Sequence, residues 1–125
     1  MTLPLLGGAG PAPAAARVQI RLADGWFTVC ALDRLDLPGR GTAALLPDGR
    51  QAALFQDRSG AVYAVDNRDP FTGAYVLARG LTGSHAGGVY VASPLLKQRF
   101  DLASGRCLDD EEVSVEAYAT RVVAD

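Results

Sequence analysis

Turn signals recur so often along this chain that no helix of ordinary length fits between them. Asp24–Gly25, Pro47–Asp48–Gly49, Ser59–Gly60 and Ser104–Gly105 each place a turn-favouring residue before a glycine that tolerates positive φ. Short runs rich in β-branched and aromatic residues lie between them. Val18, Ile20 and Leu22 alternate with Gln19 and Arg21, the period of a half-buried strand, and Trp26–Leu32 reads as a second strand. Residues Asp33–Gly41 read as loop. Thr42–Leu46 and Gln51–Gln56 flank Pro47–Asp48–Gly49–Arg50 and predict a hairpin. Ala61–Val65 follows it, so short loops alone put three strands in meander order. Ala74–Leu81 fits a short strand or a helical turn. Leu81–Gly88 reads as a polar, Gly-rich turn, Val89–Ala92 and Arg99–Leu102 as short strands, and Val113–Val123 as a closing strand. The expectation is an all-β sandwich or barrel: a flexible Ala/Pro/Gly tail over 1–17, then one domain over 18–125, with no internal repeat.

A chain of 125 residues buries enough surface to fold without metal or disulfide support. Its net charge of −2, with acids and bases interspersed, lacks the cationic stripe that nucleic-acid binding needs. No apolar run approaches the ~20 residues of a spanning helix, so no membrane partner is expected. The apolar run Leu3–Leu6 is broken by Pro4 and has no basic segment before it, unlike a secretory signal, which makes the cytoplasm the expected location. Cys30 and Cys107 then stay reduced. Cys30 lies in the apolar run WFTVCAL and is expected to be buried. Neither cysteine sits in a CxxC or near a histidine, so neither reads as a redox or nucleophilic thiol.

Little on the chain reads as catalysis. His85 lacks companions at metal-ligand spacing and reads as a solvated loop histidine. Asp109–Glu112 reads as a solvated acidic run, since consecutive acids without the EF-hand pattern usually face water. No Gly-rich phosphate loop precedes a helix. Phe55, Tyr63, Phe71, Tyr75, Tyr90 and Phe100 fall on or beside strands, as core or rim. No catalytic, metal or cofactor-binding residue is assigned.

Two proline loops remain, DNRDPF over Asp66–Phe71 and SPLLKQRFDLASGRC over Ser93–Cys107. Their layout, VYAVDNRDPF followed by VASPLLKQRFDLASGRCL, resembles the Rieske ferredoxin-like family from about Trp26 to Val123. That resemblance implies a β-sandwich or barrel with a smaller two-loop tip subdomain. It also implies a Cys-x-His pair in the first loop and a Cys-x-x-His pair in the second, which together hold a two-iron cluster. Phe100–Asp101–Leu102 and Ser104–Gly105 match the strand and turn that follow the second loop. The ligands do not match: Asp69 and Ser93 stand at the Cys positions, Phe71 and Leu96 at the His positions. Phe71 and Leu96 carry no lone pair, so the cluster is expected to be absent. A void left in its place would cost stability, and Phe71 and Leu96 are expected to form an apolar plug holding the loops together.

Among cluster-less relatives, DNRDPF with SPLLKQRFDL and GRCLDD is similar to the small subunits of assimilatory NAD(P)H-dependent nitrite reductase. The resemblance implies a non-catalytic subunit docked on a large catalytic subunit that carries FAD, an iron–sulfur cluster and sirohaem and reduces nitrite to ammonium. The expected docking surface is the tip: Arg68, Asp69, Phe71, Lys97, Gln98 and Arg99. Arg68 and Arg99 could instead brace the loops. The other readings are a two-iron electron carrier, whose ligand set is missing, and a stand-alone cluster-less Rieske-like module serving another oxidoreductase.

Overall fold

A computed structural model describes residues 16–35 and 39–124. Ten strands follow in chain order: β1 (Arg17–Leu22), β2 (Gly25–Ala31), β3 (Thr42–Leu45), β4 (Gln51–Gln56), β5 (Val62–Asp66), β6 (Leu81–His85), β7 (Gly88–Ala92), β8 (Arg99–Asp101), β9 (Ala117–Tyr118) and β10 (Thr120–Val123). Single 3-10 turns, Leu32–Leu35 and Leu77–Arg79, are the only helical elements among the described residues. The strands form three antiparallel sheets, ordered β10-β1-β2, β3-β4-β5-β9 and β6-β7-β8.

The centre of the second sheet is buried on both faces, which explains why Ala52–Phe55 of β4 are apolar without a break between Gln51 and Gln56. Ala52, Leu54 and Ala64 face one core with Val18, Ile20, Leu35, Leu46 and Tyr118. Ala53, Phe55 and Val65 face the other with Leu77, Val91, Phe100, Leu102, Cys107 and Val115. The first core joins the outer sheet to the middle one. The second lies under the two proline loops.

The hairpins after β3 and β4 are built alike. Leu46 N–H donates to Arg50 O at 2.8 Å and Asp57 N–H to Ala61 O at 2.9 Å, with Gly49 and Gly60 at φ +91° and +92°. This is a type I turn closed by a glycine bulge.

Several expectations change. Leu81–Gly88 is mostly strand, and its turn is confined to Ala86–Gly87. Gly83 lies beneath the Tyr90 ring, where a Cβ would stand 2.5 Å from the hydroxyl, so the glycine marks close packing in a strand rather than a turn. The closing stretch is two strands: Tyr118 pairs with Ala64 in the middle sheet and Thr120 with Ile20 in the outer one. Ala74–Leu81 contains the 3-10 turn, anchored by buried Leu77 and Ala78. Arg17 already pairs with Val123, one residue earlier than the expected domain start, and residues 1–15 of the expected tail lie outside the described residues. Cys107 is buried, but Cys30 is only half-buried, on the edge strand β2 of the outer sheet.

Gly105 sits hard against the backbone of Val115. Its φ is +79°, and a Cβ there would lie 2.0 Å from Val115 O. Gly105→Ala is expected to destabilise the domain by about 2–4 kcal/mol, from left-handed strain plus a backbone clash that no side-chain rotation relieves. Urea denaturation measures it.

Candidate functional site: the paired proline loops

The two loops share one backbone design. In the first, Asp69 O accepts from Gly73 N–H at 2.7 Å, and Asp69 N–H donates to Ala74 O at 2.8 Å. In the second, Ser93 O accepts from Lys97 N–H at 3.1 Å, and Ser93 N–H donates to Gln98 O at 2.8 Å. A proline follows the first residue of each, Pro70 and Pro94, and presets its φ. The fifth residue of each is left-handed, Gly73 at φ +79° and Lys97 at φ +70°. Lys97 is the one non-glycine residue with positive φ among the described residues.

The side chains of the leading residues meet. Ser93 Oγ donates to Asp69 Oδ2 at 2.6 Å, and both residues are fully buried. Asp69 Oδ1 accepts from Phe71 N–H at 2.8 Å, and Ser93 Oγ accepts from Leu95 N–H at 3.3 Å. Each loop thus folds over its own leading side chain, and the two leading side chains bond to each other. Asn67 ties the first loop to the core: its Oδ1 accepts from Ala78 N–H at 2.7 Å and its Nδ2 donates to Gln51 Oε1 at 3.0 Å.

The expected apolar plug is only half present. Phe71 is half-buried and packs on the second core, its ring 6.2 Å from that of Phe100. Leu96 is 56% exposed and fills nothing. Leu96 is the fourth residue of its loop, the place Thr72 takes in the first, and both are exposed, whereas Phe71 is the third. A buried hydrogen bond between the loops does what the plug was expected to do.

The expected docking residues divide. Arg68 and Lys97 are exposed. Phe71 offers part of its ring. Asp69 is fully buried and offers a partner nothing. Gln98 is half-buried, its Oε1 enclosed without a partner. Arg99 braces the chain: Nη2 lies 2.7 Å from Asp109 Oδ1, and the guanidinium sits 5.6 Å from the Tyr90 ring centre. Sequence reasoning passed over Tyr75 and Leu95, 52% and 49% exposed beside these loops. Tyr75 bridges Arg68 across the first loop.

His85 is not a solvated loop residue. Its Nε2 lies 2.8 Å from Asp101 Oδ1, and its Nδ1 accepts from Gly87 N–H at 3.1 Å. Those two contacts fit a neutral ring protonated on Nε2. Asp101 Oδ2 also accepts from the amide and hydroxyl of Ser104, which closes the turn before Gly105. The aspartate ahead of the Ser-Gly turn was the sequence signal for this network. Burial pushes the Asp101 carboxyl up, but the Ser104 and His85 hydrogen bonds outweigh it and hold it below the usual range. Hydrogen bonds from Ser59 lower Asp57, and the Arg99 guanidinium lowers Asp109. A carboxyl lowered on folding adds stability that is complete above about pH 4 and lost as pH falls through its folded value. Acid thermal melts should therefore show Tm falling below about pH 4, with a shallower fall in Ser104→Ala.

A two-iron cluster does not fit these loops. It needs two thiolates and two imidazoles. The two oxygens at the thiolate positions are committed to each other, the ring at the first imidazole position points into the core, and Leu96 has no donor atom. Among the described residues no group of His, Cys, Asp and Glu is arranged to hold a metal ion.

Residues 25–125 match the family model described as a Rieske-like [2Fe-2S] domain. The nitrite reductase (NADH) small subunit of Salmonella typhimurium is 48% identical over 98 residues, covering 78% of this chain and 89% of that one, and that of Escherichia coli is 47% identical over the same coverage. The solution structure of the nitrite reductase [NAD(P)H] small subunit from Erwinia carotovora superposes with a TM-score of 0.65 at 48% identity, covering 78% of this chain and 75% of that one. The nitrite reductase [NAD(P)H] large subunit of Klebsiella oxytoca is 42% identical over 97 residues, which span 78% of this chain but only 10% of that one. The loop-strand-turn order after Ser93 and this likeness over most of both small chains agree: the chain belongs to the Rieske-like domain family, among the small subunits of NADH nitrite reductase.

Proposed function

We propose that this chain is the non-catalytic small subunit of a cytoplasmic NAD(P)H-dependent nitrite reductase that reduces nitrite to ammonium in nitrate assimilation. One observation carries the reading. The same domain occurs as a free-standing relative of nearly its own length and as a 97-residue segment of a nitrite reductase large subunit. A domain found both fused and separate works beside the rest of that enzyme. FAD, an iron–sulfur cluster and sirohaem belong to the large subunit in this reading, because the loops here lack the donors to hold a cluster. The free thiols of Cys30 and Cys107 suit a reducing compartment.

The tip is the proposed docking surface. Leu95, Leu96 and Tyr75 are exposed there, with Phe71 half-exposed and Arg68 and Lys97 at the rim. An apolar centre with an aromatic and a basic rim is the composition of an interface. The left-handed Lys97 points the same way, since such strain collects at functional sites. Co-expression of tagged chain with its large subunit tests the assignment: a stoichiometric complex with flavin and sirohaem absorbance is expected, and recovery of the small chain alone would sink it.

A further inference from the structure

The open face of the outer sheet carries a second, unassigned feature. Strands β10, β1 and β2 contain three arginines and no carboxylate. Val18 and Ile20 point into the core, so Gln19 and Arg21 point out. Trp26 lies opposite Arg21 in the ladder and is half-buried. The guanidinium carbons of Arg121 and Arg21 sit 4.3 Å and 5.9 Å from its ring centre. Thr28, Gln19 and Arg121 form a relay: Gln19 Nε2 donates to Thr28 Oγ1 at 2.9 Å, and Arg121 Nε donates to Gln19 Oε1 at 2.8 Å. Two cationic side chains that usually sample many rotamers are thereby gathered around one indole ring. Neither Arg21 nor Arg121 pairs with a carboxylate among the described residues, and both are exposed. Asp24, in the β1–β2 turn beside Arg21, takes part in none of the ion pairs between described residues.

We infer that Trp26, Arg21 and Arg121 form an anion-recognition face, and that its occupant is a carboxylate-bearing segment of the large nitrite reductase chain. Charge complementarity argues for that occupant. The whole chain carries a net charge of −2, yet among the described residues these three strands carry arginines and no carboxylate, and pre-positioned guanidiniums bind carboxylates through paired N–H donors. The inference rests on the subunit assignment above. It gives this face a role distinct from the apolar tip: exposed charge pairs set the rate of encounter, whereas buried apolar contacts set the lifetime.

The test is the association rate of purified full-length chain with its large subunit, followed at about 50 mM and about 500 mM salt, across which screening lengths shrink severalfold. For wild type the rate is expected to fall steeply with salt. Arg21→Gln/Arg121→Gln should associate about tenfold more slowly at low salt and lose most of the salt dependence, with an unchanged thermal melt. Trp26→Leu keeps both charges but releases the guanidiniums, so it should bind more weakly than wild type and more tightly than the double variant. A double variant that associates at the wild-type rate at both salt concentrations overturns this proposal alone. A wild-type chain that binds no large subunit overturns the subunit assignment and this proposal with it.

Discussion

Asp69→Ala is expected to destabilise the domain by about 2–4 kcal/mol, because it leaves the buried Ser93 hydroxyl and the Phe71 amide unpaired and opens a small void between the loops. Ser93→Ala strands one buried carboxyl oxygen and removes the long acceptor contact of the Leu95 amide, at a cost of about 1–3 kcal/mol. The double variant should lose clearly less than the two losses added, since removing both partners of a buried hydrogen bond costs less than stranding one. That shortfall measures the contact directly. A domain of this size should show the larger single loss as a fall in Tm on the order of 10 °C. Strict additivity would mean that Asp69 and Ser93 do not hold the loops together. A structural cluster joins such loops through metal; here one side-chain hydrogen bond does, and it spans 24 residues of chain.

Leu95→Asp/Leu96→Asp should leave the fold intact and break the complex with the large subunit. Both side chains are about half-exposed, so a polar replacement removes little buried area from the isolated domain. Placed at the centre of a desolvated interface, two carboxylates would cost affinity by about a hundredfold or more, the scale of a hot-spot loss. Size-exclusion chromatography of the co-expressed pair reads it, with thermal melts of the variant as the folding control. Arg68→Glu/Lys97→Glu changes the rim alone and should weaken the complex less. If the leucine variant still co-elutes at stoichiometric ratio, the docking surface lies elsewhere, and the outer sheet face becomes the leading alternative.

The strands that lie between strong turn signals were legible from composition alone. Pro47–Asp48–Gly49 and Ser59–Gly60 fix hairpins locally, and β3 to β5 follow from them. β6 was not, because its residues are turn-like by type and adopt strand only through pairing with β7 and packing of Tyr90 over Gly83. The split between β9 and β10 was hidden for a similar reason: the switch at Ala119 follows from which sheet each half pairs with. At the site, the family resemblance of the two loops singles out Asp69, Phe71, Ser93 and Leu96, but their burial was not legible. Phe71 and Leu96 look equally apolar in sequence, yet Phe71 is the third residue of its loop and packs on the core, while Leu96 is the fourth of its own and is exposed like Thr72. The shared design of the two loops was equally invisible. The segments Asp69–Ala74 and Ser93–Gln98 have little but their prolines in common, and the likeness lies in hydrogen bonds and φ angles.

The most direct measurement is the iron and acid-labile sulfide content of the full chain produced in iron-replete cells, read with the paramagnetic spectrum of the reduced protein. Loops closed by the Ser93 hydroxyl on the Asp69 carboxyl should give a colourless protein with neither element in stoichiometric amount and no signal. A pair of irons and sulfides per chain, with the signal of a reduced two-iron centre, would contradict it.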